Sequence, residues 1–304
     1  FDNLDIEKIN NFKSHNKNKN ILYIIISKSG DTTETLSNLF FLNIIKKNAK
    51  NIIILTEKNN NFLSFMSKRM NLFFVEHKKF IGGRFSVLSE VGILPAYLMG
   101  IDIFKLRQNI RRFLSGKDLK ILFDSSKKLV NLHEKNKKII ILLNYIPRLQ
   151  KFLEWSQQLI AESLGKKGKG FFPVVSNVPK DHHSLLQLYL DGPKDKLFYI
   201  FSLDEKKNNE KIYLDKIKLK KNFLNNKKLS TIKEAQKNAM IKSLKKNKIS
   251  FREFKINSVS EEVLGKLFSY FILETIILGK LVNLNPYDQP AVEQVKILTK
   301  KLLS

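Results

Sequence analysis

At 304 residues, 43% hydrophobic and 27% charged, the chain has the balance of an ordinary globular protein, which excludes a fibrous or wholly disordered one and leaves room for one or two packed domains. It contains no cysteine, so disulfides and thiolate metal sites are excluded and a cytosolic home is compatible with the composition. The net charge of +27 invites a nucleic-acid interface, yet lysine, asparagine, isoleucine and phenylalanine are all heavily used and the lysines are dispersed, which points to a compositional lean and only weak, salt-sensitive attraction to polyanions.

The chain begins with a polar, Asn/Lys-rich approach over residues 1–20, and Phe1 in place of an initiator methionine leads us to expect an upstream part. The run "ILYIII", Ile21 to Ile26, suits a strand buried on both faces of a parallel sheet. Asp31 and Glu34 have the spacing of a capping box, and Leu36, Leu39 and Phe40 continue at helical spacing. The loop Ser27–Thr33 then joins a strand's carboxyl end to a helix's amino end, where free backbone N–H groups and the positive end of the helix dipole converge. Ser27, Ser29, Thr32 and Thr33 add hydroxyls and Gly30 permits close approach, so the loop suits a phosphate ester; a well-capped helix with no guest is the plainer alternative.

"NIIILTE" (51–57) and "NLFFVE" (71–76) read as further short strands, "FIGGRFS" (80–86) as a glycine turn, and "VLSEVGILPAYLMGI" as a helix punctuated by Pro95 and Gly100. Helices and linker follow over 104–137. Alternation restarts with a strand at "KKIIILLNY" (137–145), a helix from Phe152 to Leu164, an extended "GFFPVVS" and a helix turn from Ser184 to Leu190. A strand at 196–203, a lysine-rich solvated excursion over 204–228, a helix over 230–247, the strand "ISFREFKI", and helices over 259–283 and 290–303 complete the pattern. Leu267 to Leu284 is the most apolar long window, but Glu274 and Lys280 within it favour a buried helix over a membrane span. Strand–helix alternation of this kind marks parallel sheets with helices on both faces. We expect an α/β protein of two doubly wound parallel-sheet domains, three-layer αβα, with the first (1–110) incomplete and the second (111–304) complete. Ligands in such sheets lie beyond the carboxyl ends of the strands.

Several side chains stand out from the lysine background. Arg84, directly after Gly82 and Gly83, is a permanent cation with fixed donors; a surface arginine beside a tight turn is the plainer reading. Gln158 and Glu162 share a helix face at i and i+4, and Gly165 ends that helix. Glu162 therefore meets the negative end of the dipole, which favours its protonated form and suits a general base, although most such pairs are simply solvated. His182 and His183 are adjacent and lack companions at metal-ligand spacing, so acid–base work near neutral pH suits them better than a metal. Gln289 precedes a proline-started helix and Lys296 lies two turns inside it, where a solvated lysine is the ordinary reading.

Five stretches, "ISKSGDTTET", "IGGRFSVLSEVGILPA", "QLIAESLGKKG", "DHHSLLQLYLDGP" and "NPYDQPAVEQVK", resemble the glucose-6-phosphate isomerase family in order and rough spacing from about residue 20 onward. The "GGRFS" and "DQPAVE" elements look like the conventional bacterial enzymes and less like the dual-specificity glucose/mannose phosphate isomerases. The resemblance implies sugar-isomerase-type sheets, interconversion of glucose 6-phosphate and fructose 6-phosphate, and no metal or other cofactor. It implies that Ser27, Ser29 and Thr32 hold the substrate phosphate, Arg84 meets the enediolate charge, and Glu162 moves the proton between C1 and C2. Gln158 and Gln289 become substrate contacts, His183 and Lys296 the ring-opening groups, and the histidine is supplied by a second subunit of a homodimer. Two departures stand against the pattern: nothing before Phe1 corresponds to the family's earlier glycine-rich phosphate loop, and Asp31 places an acid beside the proposed phosphate. The rival readings are a non-catalytic sugar-phosphate-binding domain, which would need only the hydroxyl loop, and a basic nucleic-acid binder; no specific nucleic acid and no membrane are expected as partners.

Overall fold

The computed structural model describes residues 1–16, 19–204, 210–214 and 222–303, and contacts divide it into a unit over Phe1–Ile103 and another over Phe104–Ser304. The sequence expectation placed the boundary near residue 110. The lysine-rich stretches 205–209 and 215–221 of the expected excursion lie outside the described residues.

In the first unit the Asn/Lys-rich approach is largely a helix, α1 (Ile6–His15). Asp5 caps it, its carboxylate accepting from the Lys8 amide at 2.9 Å, and Ile9 is buried. Ile6, Ile9 and Phe12 recur at helical spacing, but lysines and asparagines fill the rest and only Ile9 is buried. Then come β1 (Tyr23–Ile26), α2 (Thr33–Leu42), β2 (Ile52–Glu57), α3 (Phe62–Arg69) and β3 (Phe73–His77), with the three strands parallel in that order. Both crossovers step the same way, so a right-handed connection puts both helices on one face. Leu36 and Leu39 of α2 and Leu63 and Met66 of α3 accordingly share one core with Ile52 and Ile54 of β2. β1 lies at an edge of this sheet and is half-buried along its length, not buried on both faces as its isoleucine run suggests. A short 3₁₀ segment (Gly83–Leu88) leads into α4 (Glu90–Leu98). The loop between is fixed by the buried His77, whose Nδ1 lies 2.5 Å from Glu90 Oε1 and whose Nε2 lies 3.0 Å from the Ile81 carbonyl.

α5 (Ile103–Arg107) begins at the last residue of the first unit and leads into the second, followed by α6 (Gly116–Glu134), β4 (Ile139–Asn144), α7 (Gln150–Leu164), β5 (Phe172–Asn177) and α8 (Leu186–Leu190). β6 (Lys196–Leu203), α9 (Leu229–Lys246), β7 (Phe251–Ile256), α10 (Glu261–Leu281) and α11 (Pro290–Leu303) complete it. The strands are all parallel in the order β5-β4-β6-β7. The chain steps one way from β4 to β5 and the other way from β5 to β6 and β7, so α7 falls on one face and α8 and α9 on the other. Tyr189, Met240 and Leu244 pack against Ile141, Leu143, Phe198 and Ile200 on the α9 side. On the opposite side Phe152 of α7 and Phe271 of α10 meet Phe201, which stacks on Phe254 with centroids 4.9 Å apart and planes 6° apart. Arg252 reaches into this layer and forms a fork with Glu274 of α10, at 2.7 and 2.9 Å, roofed by the Tyr199 ring. α10 approaches α5 closely at Gly265, where an added Cβ would sit 1.9 Å from the Leu106 carbonyl oxygen.

Candidate functional site

At the carboxyl end of β1 the hydroxyl loop is tightly drawn. Ser27 is buried, its Oγ 2.7 Å from Thr32 Oγ1 and accepting from the Gly30 amide at 3.1 Å, while Ser29 and Thr32 are exposed. Gly30 has φ +73°, and a Cβ there would collide with the Asn61 side chain, so the loop needs glycine for both reasons. Asp31 does not form the expected capping box. Thr32 holds the N-cap position of α2 without a side-chain cap, and Asp31 Oδ1 instead accepts from the Phe62 amide at 3.0 Å, in the first turn of α3. The carboxylate is thus spent on the neighbouring helix, and the α2 amides keep no acidic cap. Arg84 is only 5% exposed, in the 3₁₀ segment after the paired glycines, with its guanidinium 5.3 Å from the centre of the Phe85 ring. A surface arginine on a turn would not be so enclosed.

In the second unit, Gln158 Nε2 donates to Glu162 Oε1 at 2.9 Å along α7, which orients the carboxylate. Gly165 closes the helix, its amide donating to the Ala161 carbonyl at 2.9 Å. α7 runs back against the strands, so its last turn lies at the amino end of the sheet, where β5 begins. The carboxyl-end rule therefore misplaces Glu162. A cleft of about 260 Å³ does lie beyond the carboxyl ends of β6 and β7, lined by Ser202, Asp204, Thr231 and Lys255 among others, but it contains none of the residues singled out from sequence.

His182 and His183 follow β5 at its carboxyl end, a strand length of roughly 20 Å from the end of α7 at about 3.3 Å per residue. They differ in environment. His182 Nε2 lies 3.0 Å from the Tyr145 hydroxyl, and burial, reinforced by His183 beside it and only partly opposed by Asp181, depresses its pKa. His183 is exposed. Asp181 sets the turn, its Oδ2 accepting from the Asn177 amide at 2.6 Å and from Ser176 Oγ at 3.0 Å.

Lys296 lies on α11, which buries none of its residues, and pairs with Glu293 at 2.7 Å. The loop before α11 is held by a residue that sequence reasoning passed over. Lys166, just past the end of α7, places its ammonium 2.5 Å from the Asn285 carbonyl, the Asp288 carbonyl and Asp288 Oδ1 alike. Its hydrogen bond is the main cause that holds the Asp288 carboxyl below its ordinary range. Lys169 adds a bond to the Val282 carbonyl at 3.1 Å. Nothing in composition distinguishes these two among 55 lysines and arginines. Among the described residues no group of three or more histidines and carboxylates could hold a metal ion, and no helix is long and apolar enough to cross a membrane.

The model of the phosphoglucose isomerase family matches residues 1–304. The chain belongs to that family. A probable glucose-6-phosphate isomerase from Methanococcus maripaludis is 33% identical over 314 residues, covering all of this chain and 70% of the relative. The glucose-6-phosphate isomerase of Mycoplasmopsis pulmonis is 33% identical across 94% of this chain and 70% of its own length. Among solved structures, a hypothetical protein from Thermus thermophilus superimposes with a TM-score of 0.87 at 28% identity, over all of this chain and 76% of that one. A glucose-6-phosphate isomerase from Chlamydia trachomatis, 18% identical, shares the fold at a TM-score of 0.75 over 97% of this chain and 62% of its own.

Proposed function

We propose that this phosphoglucose isomerase family member interconverts glucose 6-phosphate and fructose 6-phosphate by proton transfer through a cis-enediolate, in the cytoplasm and as a homodimer. The observation that carries the reading is the Gln158–Glu162 hydrogen bond at the end of α7, which presents an oriented carboxylate in a chain of this family. Glu162 removes a proton from the carbon beside the carbonyl and returns it to the neighbouring carbon; a base so placed contributes about 10²–10⁴-fold. Arg84 meets the charge that develops on the enediolate oxygen. Ser27, Ser29 and Thr32, with the α2 amides, hold the phosphate, a remote anchor whose binding energy restrains the reacting carbons. Gln158 and Gln289 contact the sugar hydroxyls. Lys296 and His183 pass a proton between ring oxygen and O1 during ring opening.

The positions of Glu162 and His183 at opposite ends of one sheet support the dimer. A histidine roughly 20 Å away along β5, by the rise of about 3.3 Å per residue, does not serve the base of its own chain, whereas two-fold symmetry would bring it to a partner's site. His182 is engaged with Tyr145 and His183 is exposed, which favours His183 as the residue offered outward.

A coupled assay that reads glucose 6-phosphate formed from fructose 6-phosphate tests the activity; a protein that binds both esters and converts neither is a sensor and not an enzyme. The dimer has its own test. Glu162→Gln and His183→Ala protein, each inactive alone, should recover activity when unfolded and refolded together, to roughly a quarter of wild-type sites if two-fold dimers form at random. A mixture as inactive as its components would remove the shared site.

A further inference from the structure

The two ends of the second unit's catalytic apparatus are far apart in sequence: Glu162 closes α7, while Gln289 and Lys296 belong to the loop and helix at the end of the described chain. Their separation has to be fixed to a fraction of an ångström for a base and a ring-opening group to address one sugar, since a misplacement of about 1 Å can cost on the order of 10²-fold in rate. α11 buries none of its residues, so its own packing supplies little of that precision. The loop before it is better held. Leu284 and Pro286 are buried, and Pro286 lies within 3.3 Å of the position a Cβ on Gly279 would take, so the loop rests on the end of α10.

We propose that Lys166 is a positioning residue that sets Gln289 and Lys296 relative to Glu162. An ammonium has three N–H donors, and here there are three acceptors: the carbonyls of Asn285 and Asp288 and the Asp288 carboxylate. Two of them belong to the backbone on either side of Pro286-Tyr287, so the contact fixes the path of the main chain and not merely one side chain. The residue after the second carbonyl is Gln289, and the next opens α11. At its other end Lys166 follows the Gly165 stop directly, one helical turn beyond Glu162. The lysine side chain is 11% exposed and the Asp288 side chain 53%, so the burial falls on the ammonium and on its two carbonyl partners more than on the carboxylate. Replacing lysine by arginine would not reproduce it, because a planar fork does not match three acceptors gathered around one point.

This inference rests on the proposed isomerase reading for its kinetic arm, and a second arm is independent of activity. In Lys166→Met, kcat/KM should fall roughly 10–100-fold, the scale expected for lost orientation. The double variant Lys166→Met/Lys296→Met should lose less than the product of the two single losses, because the lysine acts in part through the group already removed. Amide hydrogen exchange in the same Lys166→Met protein should accelerate over residues 283–298 and leave the amides of α7 unchanged. Unaltered exchange across 283–298 overturns the proposal whether or not the protein is an isomerase. So does a double variant in which the two rate losses multiply, since that would show Lys166 acting apart from α11. An inactive wild type with the predicted exchange change would sink the isomerase reading and leave the positioning role of the lysine in place.

Discussion

The two units handle the same architecture differently. In the second, β6 is buried for nearly its whole length and has helices on both faces, an aromatic layer on one and a leucine–methionine layer on the other. In the first, α2 and α3 share a single face, β1 and β3 are both edges, and only β2 is thoroughly buried. The second unit therefore packs a core on both faces of its sheet, and the first on one face only. That contrast predicts where substitutions act on stability and where they act on function.

The largest loss of stability is expected from the deep pair in the second unit. Glu274→Ala leaves Arg252 buried beside Tyr199 without its carboxylate and should cost about 3–5 kcal/mol, read as a lowered denaturant midpoint. Gly265→Ala, which drives a methyl against the Leu106 carbonyl, should cost about 1–3 kcal/mol in the same unit through overpacking. Gly30→Ala should cost a similar 1–3 kcal/mol from backbone strain, but in the first unit and with weaker phosphate-ester binding, measured by titration calorimetry. A smaller effect is expected at Lys296, whose pairing with Glu293 is half exposed: Lys296→Met should shift stability by less than about 1 kcal/mol while depressing turnover. Last is His182. Its depressed pKa means the unfolded chain binds its proton first, so stability is complete above the ordinary histidine range and declines as pH falls from there through the folded value. A pH series of thermal midpoints should be flatter in His182→Gln over that window.

How much of this could be read from sequence divides along physical lines. The buried strands and the amphipathic α7 were legible because apolar period and length agree, and Gly165 marks the helix end unambiguously. α1 was not, although Ile6, Ile9 and Phe12 recur at helical spacing, because they are diluted by lysines and asparagines and only Ile9 is buried. Asp31 misled because a capping-box spacing is local, while the amide it serves lies in another helix. Glu162 was singled out by its neighbours in sequence, but its position at the amino end of the sheet follows from α7 running back against the parallel strands β4 and β5, which the carboxyl-end rule passes over. Lys166 was hidden by abundance: only three-dimensional acceptors separate it from the other lysines.

In the proposed isomerase the Glu162 carboxylate carries the substrate proton, so its replacement by an amide should stop the transfer. The direct measurement is solvent-deuterium exchange at C2 of glucose 6-phosphate with Glu162→Gln, alongside calorimetric binding of the same ester. Exchange should slow by at least about 10²-fold with binding retained. Exchange at the wild-type rate in that variant would contradict that role.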